Sequence, residues 1–304
     1  MRLLMNAALL AATCFAFPAA AEEETLVVTA TRSPIPAERL PADVDVIDVD
    51  QIQNRGVASV ADALSSAPGL DVVGSGGFGQ QTSLFSGGAN SNHTLVLFDG
   101  LRLNDPSTPG SSFDAGQDTL AGLDRIEVVQ GPMSAVFGSD AIGGVINLLP
   151  RRAGEAPLSA RLDMGTGSFG TVRGAASVDG TLGRFSYVAS AEGYVTDGYD
   201  LVPERMSTHI DDADGAESAT LTGLLDVALT DSVSVDLLVR HREARADFDA
   251  FIYPPPLFSE TRVDDADLEI SKIIFKFFKR THLLLLLLNF IIEINNFPVQ
   301  AEPV

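Results

Sequence analysis

An aspartate-rich stretch between Asp197 and Ser218 carries side chains that a hard cation would use as ligands. Calcium takes roughly six to eight oxygen ligands, and carboxylates clustered in a flexible loop can supply several of them. The stretch is not an EF-hand, because Ile210 occupies the first ligand position and the terminal glutamate is absent. A solvated acidic loop is the alternative. The acidic residues concerned are Asp200, Asp211, Asp212, Asp214 and Glu217.

A second stretch, Asp124 to Pro150, combines short apolar runs with glycines. Its pattern predicts a strand over Arg125–Gln130, a helical turn over Ser134–Phe137 and a strand over Val145–Leu149. A glycine pair beside short strands can bind a phosphate, but neither GxGxxG nor a Lys-Ser/Thr after the glycines is present. The sequence also offers no nucleophile triad, metal-protease motif or pair of catalytic acids. We therefore expect no enzyme activity.

The charge balance and the N-terminus narrow the class of protein. The chain has 304 residues and a net charge of −21, which argues against a nucleic-acid partner, because phosphate binding needs clustered Lys and Arg. Residues 1–21 begin with Arg2, continue with an apolar core and end in small residues, which predicts a secretory signal peptide cut after Ala21. The single cysteine, Cys14, lies within it, so the mature chain is expected to have no disulfide.

The residues after this leader predict a short extended segment, Glu24 to Ala30, rich in β-branched side chains. Such a segment can add a strand to the sheet of another protein through backbone hydrogen bonds. An ordinary first strand of the domain is the alternative. Further on, Asp50 and Ser59 are predicted to cap two helices, and Asp99-Gly100 predicts a hairpin with a type I′ turn.

Several segments together resemble one family. RIEVVQGPMSAVFGSDAIGGVINLLPRR resembles the end of the plug domain of TonB-dependent outer-membrane receptors, and SVADALSSAPGLDV and HTLVLFDGLRLND fit the same pattern. In that family a plug sits inside a β-barrel, so the resemblance implies an α+β plug domain followed by an antiparallel transmembrane β-barrel that is only partly present in this chain. One position departs from the pattern, since Gly87 stands where members usually have Arg.

The same resemblance gives the extended segment a role. ETLVVTA resembles the TonB box, which pairs with the energy-coupling protein in the periplasm. The residues concerned are Glu24, Thr25, Leu26, Val27, Val28, Thr29 and Ala30.

Beyond Pro150 the sequence alternates polar and apolar residues in segments of about ten residues, as barrel strands of the outer membrane do. A soluble sandwich gives the same alternation, but the leader and the plug favour a barrel in the outer membrane of a Gram-negative cell. The predicted strands are Leu158–Thr166, Thr171–Val178, Phe185–Val195, Ala219–Leu229 and Val233–Arg242.

The loops resemble one branch of the family, the cobalamin transporters, through GYDLVPE, DDADG and DFDAFIYPPPLFSETR. In that branch extracellular loops bind calcium before the substrate. The resemblance implies calcium ligands at Asp200, Asp212, Asp214, Asp249 and Glu260, the last standing where the branch tends to have Asp. It implies substrate contacts at Ser83, Asn90, Leu101, Arg102, Phe248 and Ala250.

The last part of the chain changes its chemistry near Ile270. All three lysines, Lys272, Lys276 and Lys279, fall there, and Leu283–Leu288 is a homopolymeric run. We expect a foreign tail, arising from a frame shift, a truncation or a misassembled join. A genuine C-terminal anchor is the alternative, but the apolar run is shorter than the ~20 residues a membrane helix needs.

The expected organisation follows from these points: a signal peptide over 1–21, the TonB box and linker over 22–40, the plug over 41–152, barrel strands over 153–270 and the tail over 271–304. The expected function is energy-coupled uptake of a scarce large nutrient, most like cobalamin, lost in a truncated product. The alternatives are an iron-siderophore or haem receptor of the same family, or a secreted plug-only binding module of the periplasm. The expected partners are the coupling protein, the substrate and outer-membrane lipid, with calcium in the loops.

Overall fold

The computed structural model describes residues 42–106, 110–200, 213–230 and 233–247 with their side chains, and the backbone alone of 27–28, 35–36, 248, 266–281 and 293–294. Its helices are all short, and within these ranges none has the length and apolarity to cross a bilayer. Two bodies are seen: a mixed α/β domain, and a large antiparallel sheet that packs against it.

The α/β domain follows a two-stranded ladder of β1 (Val27–Val28) and β2 (Ile35–Pro36). Its elements are β3 (Val44–Asp48), α1 (Val49–Gln53), α2 (Val60–Leu64), β4 (Leu70–Gly74), β5 (Thr82–Ser86), β6 (Thr94–Phe98), β7 (Leu101–Arg102), β8 (Leu123–Gln130), α3 (Ser134–Phe137) and β9 (Gly144–Pro150). Two 3-10 turns lie at Ser91–His93 and Ser139–Ala141. The strands and the helical turn predicted between Asp124 and Pro150 are confirmed.

Five strands of this domain form a sheet in the order β3-β8-β9-β6-β7, in which β6 and β9 are parallel and the other pairs antiparallel. Strand β6, which lies between β9 and the edge strand β7, is buried on both faces. Val96 and Phe98 pack into the main core, whereas Leu95 and Leu97 pack into a second cluster on the opposite face. Alternate residues of a strand point to opposite faces, so one continuous apolar run serves two cores.

Local signals for turns and caps were mostly correct. Ser59 caps α2, since its Oγ accepts a hydrogen bond from the backbone N–H of Asp62 at 3.0 Å. Asp99 and Gly100 have φ of 50° and 80°, the positive pair that a type I′ turn requires. The prediction that Asp50 caps α1 is wrong: Asp48 is the cap, and accepts from the backbone N–H of Gln51 at 2.9 Å.

The second body is a seven-stranded antiparallel sheet whose strands follow one another in chain order. Its strands are β10 (Ser159–Thr166), β11 (Val172–Leu182), β12 (Phe185–Tyr199), β13 (Asp214–Thr230), β14 (Val233–Phe248), β15 (Ala266–Thr281) and β16 (Glu293–Ile294). Among the described strands β10 and β16 are its edges, so the sheet is not closed. The five strands predicted by alternation are all present, and the fold is the expected plug followed by barrel-like strands.

Two boundaries differ from the expectation. The acidic stretch Asp197–Ser218 was predicted as a loop, but β12 runs to Tyr199 and β13 begins at Asp214, which pairs with Tyr199. Backbone pairing continues there because the ladder tolerates a bulge between Thr196 and Tyr199. Strand β15 crosses residue 270 and pairs with β14 as far as Thr281, so the change in side-chain chemistry does not coincide with a strand end.

Candidate functional site

The candidate site is the interface between the α/β domain and the inward face of the large sheet. Three apolar side chains of that face, Val188, Leu224 and Leu238, belong to the main core of the α/β domain. Without the sheet that core would lose part of its apolar cover. Most of the other buried side chains of the inward face are polar, namely Glu192, Thr196, Ser218, Thr220, Thr222, Arg240 and Arg242, and the remainder are the small residues Ala216, Ala244 and Ala246.

The strongest electrostatic contact between the two bodies is centred on Asp118. Its Oδ1 accepts a hydrogen bond from Arg240 Nη2 at 2.8 Å, and its Oδ2 lies 2.8 Å from Arg242 Nη1. All three side chains are at least nine-tenths buried. Burial by itself would raise the pKa of Asp118, but the charges of Arg242 and Arg240 and their hydrogen bonds hold that pKa at about 2. The carboxylate is therefore ionised at neutral pH.

A second buried contact joins the neighbouring residue to β12. Thr119 Oγ1 donates a hydrogen bond to Glu192 Oε2 at 2.6 Å. The other carboxylate oxygen of Glu192 lies 3.8 Å from Arg173 Nη1 on β11, an ion pair without hydrogen-bond geometry. Asp118 and Thr119 thus bind two different strands of the sheet.

The loop before β5 packs closely on the same face. The ring of Phe78 lies 4.1 Å from that of Tyr194, centroid to centroid, and Gln80 Nε2 donates to the backbone oxygen of Asp247 at 2.5 Å. Gly79 has φ +93°, and a Cβ there would lie 2.6 Å from the Cβ of Ala246. Only glycine allows both the backbone conformation and this approach.

A more exposed contact lies at Asp50. Its Oδ1 accepts hydrogen bonds from Arg151 Nη2 at 2.6 Å and from Arg161 Nη1 at 2.7 Å, and the second of these belongs to β10. The side chain of Asp50 is 46% exposed, so water competes with both arginines.

The predicted substrate residues fall into two groups. Asn90 is exposed at the start of the turn Ser91–His93, and Arg102 pairs with Asp140 at 2.5 Å in the turn Ser139–Ala141. Those two turns contact each other, and the first also contacts β5, which carries Ser83. Leu101 instead packs in the main core with 8% exposure. Phe248 is described by its backbone alone at the end of β14, and Ala250 lies outside the described residues.

Two of the five predicted calcium ligands are described. Asp214 opens β13, and Asp200 follows directly after the end of β12, so the pairing of Tyr199 with Asp214 brings both to one end of the sheet. Asp212, Asp249 and Glu260 lie outside the described residues. Within the described part of the chain no three carboxylate, histidine or cysteine side chains are grouped to hold a metal ion.

The predicted TonB box is described at two residues. Val27 and Val28 are extended and pair with Pro36 and Ile35. The remaining box residues and the predicted signal peptide lie outside the described residues.

Sequence reasoning missed the buried contacts. A signal for the sheet side exists, because Arg240 and Arg242 are two residues apart on an alternating strand and must share a face. In a barrel strand that face is the inner one, since the other meets lipid. The partner, Asp118, has no local signal: it is one acidic residue in a connecting segment.

Comparison with known proteins agrees with this architecture. Residues 36–145 match the family model of the TonB-dependent receptor plug domain. The ferripyoverdine receptor of the outer membrane of Pseudomonas aeruginosa has a similar structure, with 16% identity and a TM-score of 0.63 over 84% of this chain and 35% of that one.

Two further structures are similar. The siderophore receptor PirA from Acinetobacter baumannii has 19% identity and a TM-score of 0.62 over 79% of this chain and 38% of its own. The alcaligin outer-membrane receptor FauA from Bordetella pertussis has 19% identity and a TM-score of 0.62 over 84% of this chain and 39% of its own. The chain thus spans little more than a third of the length of these receptors. Residues 36–145 are a plug domain of the TonB-dependent receptor type, packed on an antiparallel sheet of the kind those receptors contain.

Proposed function

We propose that this chain is the plug and the first wall strands of an energy-coupled outer-membrane receptor that imports an iron–siderophore complex. One observation carries the proposal: the large sheet has its buried charged and hydroxyl side chains on the face that meets the plug and its large exposed apolar side chains on the opposite face. A soluble sheet has the reverse arrangement. Exposed outward side chains include Leu162 at 70%, Met164 at 80% and Leu221 at 54%.

The apolar face has the dimensions of a membrane band. On β13 the outward positions from Ala219 to Leu229 carry no charge, whereas Glu217 lies beyond them. Ten residues at about 3.3 Å each extend about 33 Å along a strand, and a tilt of about 40° reduces this to about 25 Å across the membrane. Phe169 and Tyr199 lie together at one end of the strands with ring centroids 5.1 Å apart, and Phe185 lies at the other end. Aromatic side chains at both borders are typical of outer-membrane barrels.

The substrate class is supported by the structural relatives. The similar receptors named above are siderophore receptors, which favours the iron-siderophore alternative over cobalamin. A plug-only periplasmic module has less support, because Val188, Leu224 and Leu238 of the sheet complete the plug core.

Energy coupling can be tested at the TonB box. In the receptor that contains this chain, Val28→Pro removes a backbone donor and imposes proline geometry on the strand, while Val28→Ala keeps the backbone intact. We expect Val28→Pro to abolish uptake of radioactive ferric siderophore without changing its binding to whole cells. Val28→Ala should transport normally. Normal uptake with Val28→Pro refutes coupling through this strand, and uptake of labelled cobalamin in place of iron refutes the substrate class.

For the acidic loops we propose a calcium site that includes Asp200 and Asp214, with Asp212, Asp249 and Glu260. Carboxylates held together repel one another, and calcium offsets this repulsion and orders the loops. Chelating calcium should lower substrate affinity by roughly tenfold, and Asp212→Asn with Asp214→Asn should have the same effect. Added sodium chloride should not restore affinity, because it supplies no suitable cation. A calorimetric titration without calcium binding, or affinity unchanged by calcium, identifies a solvated loop instead.

A further inference from the structure

The contact at Asp118 has the form of a carboxylate-binding site. Two guanidinium groups from alternate residues of β14 hold one carboxylate, with one oxygen 2.8 Å from Arg240 and the other 2.8 Å from Arg242. The site is buried, since Arg240 is 4% exposed and Arg242 7%. Guanidinium groups bind carboxylates strongly because several donors lie in one plane.

This pair of arginines has more donors than Asp118 uses. The Nε atoms of both arginines have no hydrogen-bond acceptor among the described residues. The guanidinium carbon of Arg240 also lies 4.9 Å from the centre of the Phe98 ring of the plug. Buried donors without acceptors are costly, so the site favours an anion that satisfies more of them.

The carboxylate and the arginines belong to different bodies. Asp118 is part of the plug, whereas Arg240 and Arg242 are part of the sheet. The nearby Arg173–Glu192 pair lies entirely within the sheet and is balanced without the plug. If the segment that carries Asp118 moves away, the two guanidinium groups lose the carboxylate that contacts both of them, and Arg240 keeps only a longer-range interaction with Glu192 of the sheet.

We propose that Arg240 and Arg242 form an internal anion site of the sheet, occupied at rest by the plug's own carboxylate and available to a carboxylate of the cargo when the plug moves. The role toward a cargo rests on the proposed function, but the anion site does not. Asp118 then has two effects: it holds the plug in place, and it keeps this site closed to other anions.

The test removes the internal carboxylate and supplies another from solution. Asp118→Ala in the full chain, folded in detergent micelles, leaves a space beside both arginines that acetate can enter. We expect Asp118→Ala to lower the Tm by several degrees, and acetate to restore at least half of the loss in a saturable way. Sodium chloride at the same ionic strength should not restore the Tm. The unaltered protein should show no shift specific to acetate.

Two controls make the result specific. The triple variant Asp118→Ala/Arg240→Gln/Arg242→Gln should lose the acetate effect. Asp50→Ala removes a carboxylate from an exposed pair of arginines and should show no acetate-specific rescue. If Asp118→Ala does not fold in chloride, its refolding yield in acetate becomes the measurement.

An absent acetate effect on both Tm and refolding yield overturns the anion site, and so does an equal effect in the triple variant. Because no transport is measured, either result leaves the uptake proposal intact. Conversely, if acetate rescues the variant but the receptor does not import iron, the anion site is supported and only its role in binding a cargo is refuted.

Discussion

The two sheets of this protein differ in where their apolar side chains lie: those of the plug sheet are buried, whereas many of those of the large sheet are exposed. In the plug, β6 and β9 are buried on both faces, and their side chains fill two cores made mostly by the plug itself. In the large sheet the buried face carries charges and hydroxyls, and leucines and valines lie exposed on the other. The plug therefore contains most of its own stabilising surface. The large sheet instead packs on the plug with one face and leaves large apolar side chains exposed on the other.

The largest expected effect tests the plug core. Leu148 is 1% exposed on β9, and Leu148→Ala should lower the free energy of unfolding by about 2–5 kcal/mol through lost burial and a cavity. Leu162→Ala removes the same group from a position that is 70% exposed, and should cost about 0.5 kcal/mol or less in micelles. Urea unfolding followed by circular dichroism measures both. Similar losses of unfolding free energy in the two variants would contradict the proposed difference between the buried plug sheet and the exposed outward face of the large sheet.

The next effect tests the outward face. Leu225 lies in the middle of the proposed band, and Leu225→Lys should cost about 2–4 kcal/mol when the protein is folded into lipid vesicles. Glu243→Lys also places a lysine on the outward face, but at the border of the band, opposite Ala219, and should cost at most about 1 kcal/mol. Equal costs would show that the exposed face does not meet lipid.

A smaller effect tests the buried contact between the sheets through pH. The pKa of Asp118 is lowered from 3.8 to about 2, so its contribution is complete above pH 4 and is lost as the pH falls through 2. The shift corresponds to about 2 kcal/mol. The stability difference between the unaltered protein and Asp118→Asn should therefore be constant above pH 4 and narrow by about that amount between pH 4 and pH 2.

Asp114 has the opposite effect on how stability changes with pH. Burial raises its pKa although Gly116 and Thr82 donate backbone hydrogen bonds to it, so its stabilising contribution is present at low pH and is lost as the pH rises. Both proteins in the comparison contain Asp114, so its effect largely cancels in the difference. A difference that widens on acidification would mean that Asp118 is not ionised in the folded state.

The sequence predicted those features whose cause is local. Asp99-Gly100 predicted a type I′ turn because few other residue pairs tolerate two positive φ angles. Ser59 predicted a helix start because its hydroxyl can satisfy a free backbone N–H. The error at α1 is of the same local kind: Asp48 and Asp50 are both suitable caps, and Asp50 instead binds two arginines distant in sequence.

What the sequence determined by itself was the alternation of the wall strands, the apolar runs of the plug and the turns between them, since each depends on neighbours along the chain. In a barrel this alternation also orients each strand, because the apolar face meets lipid, but it does not show which plug residue an inward side chain contacts. Only the tertiary structure joined Asp118 to Arg240 and Arg242, which are more than a hundred residues away, and placed Leu101 in the core. Such contacts depend on how two bodies pack, and no local residue pattern encodes that.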